Sequence, residues 1–184
     1  MLPLALLAMA GLMAAAVKLT GGPNAARVAA NLGWPVTYIQ YAVQAARKYG
    51  VPWQWVLATI IVESSGNPRA AGDADGRSVG LMQVNVVANN LPRESLFDPK
   101  TNIDWGTKLM AQFVAQIRGA LGGRTPPIPL DEIMRLSYKG PATVLAALRR
   151  GENPAAISWA PTALQNWRAA MARVQAASGK GAIA

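Results

Sequence analysis

The sequence predicts a mainly α-helical fold. Three observations carry that prediction. Apolar residues recur at intervals of three and four through several segments, Pro and Gly punctuate the ends of those segments, and no stretch shows the period-two alternation of a half-buried strand. With 184 residues, 52% of them apolar, the chain suits one domain with a core of ordinary size. It has no Cys and no His. That excludes a disulfide framework, a thiol nucleophile, Ser-His-Asp and Cys-His catalysis, and every His-based metal site. No metal or organic cofactor is expected. The nine carboxylates, and so all the acid candidates, are Glu63, Asp73, Asp75, Glu94, Asp98, Asp104, Asp131, Glu132 and Glu152. A formal charge of +9 favours an anionic partner: nucleic acid, an anionic membrane surface or bacterial cell wall. The basic residues are spread along the chain and form no stripe, so sequence-specific nucleic acid binding is not expected.

Residues 1–17 are read as an apolar N-terminal segment. The uncharged run LPLALLAMAGLMAAAV is short for the roughly 30 Å hydrocarbon layer and has no basic residue ahead of it. A membrane-seeking segment is preferred over a cleaved signal, and an ordinary buried helix comes third. Residues 18–35 hold breaker signals around a short Ala-rich helix, Gly21-Gly22-Pro23-Asn24 and Gly33-Trp34-Pro35, and are assigned to a linker. The folded domain is expected over 36–177 and a flexible tail over 178–184.

Within the domain, Thr37 and Gln40 have the spacing of a capping box. Ile39, Ala42, Val43 and Ala46 follow at helical intervals, and Gly50 stops the run. Pro52 opens the next helix, with Trp53, Val56, Leu57, Ile60 and Ile61 as its buried stripe. Residues 65–79, rich in Gly, Asp and Asn, read as a loop or short hairpin. Asn102 is the expected cap of a long helix with Leu109, Met110, Phe113, Val114 and Ile117 inward, ended by Gly122-Gly123. Shorter helices follow over 130–137 and 142–150. Pro161 opens the last helix, with Leu164, Trp167, Met171 and Val174 inward.

The chemistry points to residues 53–85. At 100° per residue Glu63 stands beside Val56 and Ile60, on the margin of an apolar stripe, facing the polar loop. Partial desolvation of a carboxyl favours its protonated form. An acid so placed is what acid-catalysed cleavage of a glycosidic bond requires. Ser64 falls on the buried side, where its hydroxyl can brace a neighbour.

Several segments together resemble a known family. They are Tyr49-Gly50-Val51-Pro52, Glu63-Ser64, Asn67-Pro68-Arg69-Ala70, Gly80-Leu81-Met82-Gln83-Val84-Asn85 and Leu96-Phe97-Asp98-Pro99-Lys100-Thr101-Asn102-Ile103. The chain resembles the lytic transglycosylases of the soluble-transglycosylase (SLT) type, over roughly Thr37 to Arg150. The resemblance implies a lysozyme-like helical domain of the goose-type/SLT kind with at most a small hairpin. It implies peptidoglycan glycan strands as substrate and Glu63 as the catalytic residue. Glu63 would protonate the oxygen between N-acetylmuramic acid and N-acetylglucosamine, then act as base while the muramoyl 6-hydroxyl attacks C1 to give a 1,6-anhydro sugar. Ser64, Gly80, Met82, Gln83 and Tyr138 are implied on the substrate side, with Ser64 helping to hold the Glu and Met82 and Gln83 lining the sugar groove. Where the family carries Tyr-Asn-Ala-Gly, this chain has Ser137-Tyr138-Lys139-Gly140-Pro141. Tyr138 is taken as the family's Tyr, although a gap-free reading puts Ser137 there.

Three other readings stand beside this one. Asp73 or Asp75 as a second carboxylate would make a hydrolysing, goose-type lysozyme. A catalytically silent component of a virion or secretion assembly is another. The third is a membrane-active protein driven by residues 2–17, whose lysis would not depend on Glu63. The expected setting is the bacterial envelope, periplasmic or membrane-tethered, or a phage virion, with contact to the membrane and to virion or secretion-machine proteins. A resident cytosolic enzyme is not expected.

Overall fold

The structure, a computed structural model, describes residues 24–72 and 76–179. The apolar segment over 1–17, Asp73, Asp75 and residues 180–184 of the tail lie outside the described residues. The first helix, α1 (Ala25–Leu32), is capped by Asn24, whose side chain accepts a bond from the Arg27 N–H at 3.1 Å. Val28, Ala29 and Leu32 are buried. The segment assigned to a linker therefore carries part of the packed domain. Its spacing is helical, but eight residues are too few for the periodicity to show which side is covered.

Helix α2 (Val36–Tyr49) starts directly after Pro35, so Thr37 and Gln40 lie inside its first turn and no side chain caps that end. Pro35 does the work expected of the capping box, because a Pro holds the extended backbone that precedes a helix. Helix α3 (Trp53–Ser64) follows Pro52 and ends where Ser65 turns left-handed, with φ 53°. Three two-residue strands come next: β1 (Ala71–Gly72), β2 (Ser78–Val79) and β3 (Val84–Asn85). They form an antiparallel sheet in chain order, Ala71 opposite Val79 and Val79 opposite Val84. The sheet has one strand more than a hairpin because the chain reverses again at Gly80–Gln83. A 3-10 turn (Arg93–Phe97) leads into α4 (Pro99–Leu121), and α5 (Leu130–Lys139), α6 (Pro141–Arg149) and α7 (Ala160–Ser178) complete the fold.

Helix α3 is the inner member of the bundle. Its Trp53, Val56, Leu57, Ala58, Thr59 and Ile60 are all buried, and it packs chiefly on α7, while α2 packs on α4. Two polar ties fix α5 to α7: the Trp167 indole N–H donates to Asp131 at 2.8 Å, and Arg168 forms a two-pronged bond to Glu132 at 2.6 and 2.9 Å. Among the described residues no helix is long and apolar enough to cross a membrane.

The start of α4 differs from expectation. Asp98, not Asn102, is the cap: its carboxylate accepts from the Thr101 N–H at 2.8 Å and the Thr101 hydroxyl at 2.7 Å, with Pro99 at the first helical position. Asn102 lies a turn further on, fully buried. The backbone bond from Thr101, then the hydroxyl bond, hold the Asp98 carboxyl below its ordinary range. A depressed folded-state pKa stabilises the fold fully above the ordinary carboxylate range, and the gain is lost as pH falls through the depressed value. Asp98→Ala is accordingly expected to cost about 1 kcal/mol at neutral pH. The gap between the two proteins should close in acid, which unfolding curves at pH 7 and near pH 2 will check.

Candidate active site

Glu63 lies in the last turn of α3, its side chain 20% exposed. It forms an ion pair with Arg135 of α5: the guanidinium Nη1 donates to Oε1. The Arg135 side chain is only 7% exposed, and its Nε is buried without a partner. Next to Glu63, the Ser64 hydroxyl donates to the Leu81 carbonyl at 2.8 Å and accepts from the Gly66 N–H at 3.2 Å. Ser64 thus joins the end of α3 to the Gly80–Gln83 turn.

That turn is held from behind by Asn102. Its Oδ1 accepts from the Met82 N–H at 2.7 Å, and its Nδ2 donates to the carbonyls of Val79 and Leu96, each at 2.9 Å. Gly80 is required here: its φ is 78°, and a Cβ would lie 2.2 Å from Asn102 Nδ2 and 2.4 Å from the Leu96 carbonyl oxygen. Gln83 is left-handed, with φ 48°, and its side-chain amide donates to Gly80 at 2.9 Å and Ala70 at 3.1 Å. The first bond closes the turn on itself, and the second ties it to the segment ahead of β1.

From the opposite side, the Tyr138 hydroxyl donates to the Met82 carbonyl at 2.9 Å, and the Tyr138 ring meets Phe113 edge-on at 5.9 Å between centroids. Burial, reinforced by the Glu63 carboxylate and opposed by Arg135, pushes the Tyr138 phenol far above its ordinary range. Tyr138 is therefore a neutral hydrogen-bond donor close to Glu63. The Ser137 hydroxyl is fully buried and without a partner. Helix α5 runs through both residues, so consecutive side chains leave in directions about 100° apart, and it is Tyr138 that faces the turn.

The profile of the transglycosylase SLT domain matches residues 40–157, more than half of the chain. The chain belongs to the transglycosylase SLT family. Its SLT domain is 37% identical, over 117 residues, to the membrane-bound lytic murein transglycosylase C of Cronobacter sakazakii; the match covers 57% of this chain and 31% of that protein. It is 42% identical over 86 residues to the proteins of the same name from Salmonella arizonae and Klebsiella pneumoniae, covering 40% of this chain and 23% of theirs. The chain spans less than a third of the length of these curated relatives.

Within this SLT domain, the expected residues divide into two groups. Glu63, Ser64, Gln83 and Tyr138 are partly exposed and meet around the Gly80–Gln83 turn. Gly80 and Met82 are buried. Met82 does not line an open groove: its side chain is 0% exposed and packs on α4, where a Cβ at Gly106 would lie 2.5 Å from its sulfur. The reversal at Gly80 aims it at the core, and only its backbone faces Tyr138. Asp73 and Asp75 fall in the undescribed link between β1 and β2. Two residues were missed, Arg135 and the clamp role of Asn102. Arg135 had a sequence signal, a lone cation enclosed by Ile133, Met134 and Leu136, one turn before Tyr138. Among the described residues no group of three or more His, Cys, Asp or Glu is gathered to hold a metal ion.

Proposed function

We propose that this SLT domain is a peptidoglycan lytic transglycosylase that cleaves the MurNAc–GlcNAc bond, with Glu63 as its single general acid and base and a 1,6-anhydromuramoyl product. The supporting observation is the placement of Glu63, at the end of a buried helix, anchored by Arg135, near the Tyr138 hydroxyl and beside the Gly80–Gln83 turn. Glu63 gives its proton to the linking oxygen as the bond to C1 breaks. The resulting carboxylate then takes the proton of the muramoyl 6-hydroxyl as that oxygen bonds to C1. Atoms balance without water, so one carboxyl suffices. Ser64, Gln83 and Tyr138 keep the turn and the acid in register, and Gly80 and Met82 act through the backbone they shape.

The setting we propose is the bacterial envelope, where the relatives are named as membrane-bound murein transglycosylases. Those names favour an envelope enzyme over a phage virion component. Residues 2–17 are the segment through which it would meet the membrane. Mass spectrometry of muropeptides released from purified peptidoglycan tests the reaction, and anhydro-muropeptides are the expected product. Reducing-end muropeptides, one water heavier, would overturn it in favour of a hydrolase using Asp73 or Asp75. Absence of any release would favour the silent structural component.

A further inference from the structure

The ion pair between Glu63 and Arg135 bears on how the acid works. Three features define it. Arg135 reaches Glu63 from another helix, α5, and its side chain is almost fully enclosed. Its Nη1 engages Oε1 of Glu63, and no described residue bonds Oε2. Glu63 stands in the last turn of α3, where the aligned backbone carbonyls present the negative end of the helix dipole. An anion is poorly placed at that end unless a cation faces it.

We infer that Arg135 is a positioning residue that fixes Oε1 of Glu63 and leaves Oε2 as the oxygen that carries the proton in both directions. Resting on the assignment of Glu63 as acid and base, the inference follows the charge through the cycle. Oε2–H gives its proton to the linking oxygen, and the C1–O bond breaks. Glu63 is then a carboxylate at the negative end of α3, and the fixed guanidinium stabilises it without having to move. Oε2 next takes the proton from the 6-hydroxyl as O6 bonds to C1, and Glu63 ends as it began. Arg135 transfers no proton; a guanidinium stays charged in proteins. Without it the carboxyl would be free to rotate, and the anion would face the helix end uncompensated. Tyr138 faces the same pair: Glu63 pushes its phenol up and Arg135 pulls it down. On α5, Tyr138 and Lys139 lie one turn after Arg135; Lys139 is exposed, its ammonium 5.9 Å from the centroid of the Trp159 ring.

The test is muropeptide release by the full chain, with kcat and KM taken separately, comparing wild type, Arg135→Met, Arg135→Gln, Arg135→Lys and Glu63→Gln, each checked by thermal unfolding. The neutral variants are expected to lose about a hundredfold in rate at their optimum. The loss should fall on kcat with KM little changed, since Arg135 is nearly enclosed and meets Glu63. Arg135→Lys, which keeps the charge, should recover part of kcat. A folded neutral variant that keeps its kcat, or a folded Arg135→Lys variant that recovers none of it, would reduce Arg135 to a packing role and overturn the inference. Where neither neutral variant folds, Arg135→Lys decides, and a folded Lys variant no more active than Glu63→Gln overturns it. Activity retained by Glu63→Gln would instead overturn the assignment of Glu63, an outcome the Arg135 series alone cannot produce.

Discussion

Glu63→Gln is expected to lower peptidoglycan cleavage by at least about a hundredfold, and up to about ten-thousandfold, the usual contribution of a positioned proton donor. The substitution removes the transferable proton and keeps the side chain's length and one acceptor oxygen. That acceptor matters because Arg135 is nearly enclosed. An amide oxygen still takes its hydrogen bond, and the loss of the charge should cost about 1–3 kcal/mol. Glu63→Ala would strand the guanidinium altogether, at about 3–5 kcal/mol, and would confuse lost chemistry with lost structure. Release assays on purified peptidoglycan, run beside thermal unfolding, check the point. A Gln variant that unfolds near the wild-type temperature and keeps more than a tenth of the activity would show that another group supplies the proton.

The largest effect on stability is expected at Asn102. Its side chain is fully buried and bonds three backbone groups: the Met82 N–H and the carbonyls of Val79 and Leu96. Asn102→Ala leaves all three without a partner. At about 1–3 kcal/mol for each stranded group, a total of roughly 3–9 kcal/mol is expected. Against a typical total of about 5–15 kcal/mol, that brings the domain close to unfolding. Asn102→Asp should do no better, since a carboxylate keeps the acceptor for Met82 but points at two carbonyls it cannot donate to. Denaturant unfolding measures both. An Ala variant within about 1 kcal/mol of wild type would mean that the turn finds other support.

Why the place of Glu63 is legible in the sequence but its setting is not follows from the range of the forces involved. Helices α2 and α4 are legible because their apolar residues repeat over several turns, and Gly50 and Gly122 mark stops with local chemistry. Glu63 was legible for the same reason, since the helical angle alone places it at the margin of a stripe. The cap of α4 was misplaced because both Asp98 and Asn102 suit a cap; what separates them is that Asn102 is claimed by the distant residues Val79, Met82 and Leu96. Arg135 lies 72 positions from its partner, and no local pattern encodes that pairing. Met82 was assigned to a groove from its neighbours in the motif, yet a left-handed glycine two positions earlier turns its side chain inward.

Helix α1 bears on how the domain withstands load. The Asn31 side chain donates to the Ala177 carbonyl at 2.9 Å, and a Cβ at Gly179 would lie 2.8 Å from Arg27. The first and last described residues thus lie close together. Tension applied at these two points would load the seam between α1 and α7 first, and opening it would leave the packing of α3 on α7 and the ties from α5 to α7 in place.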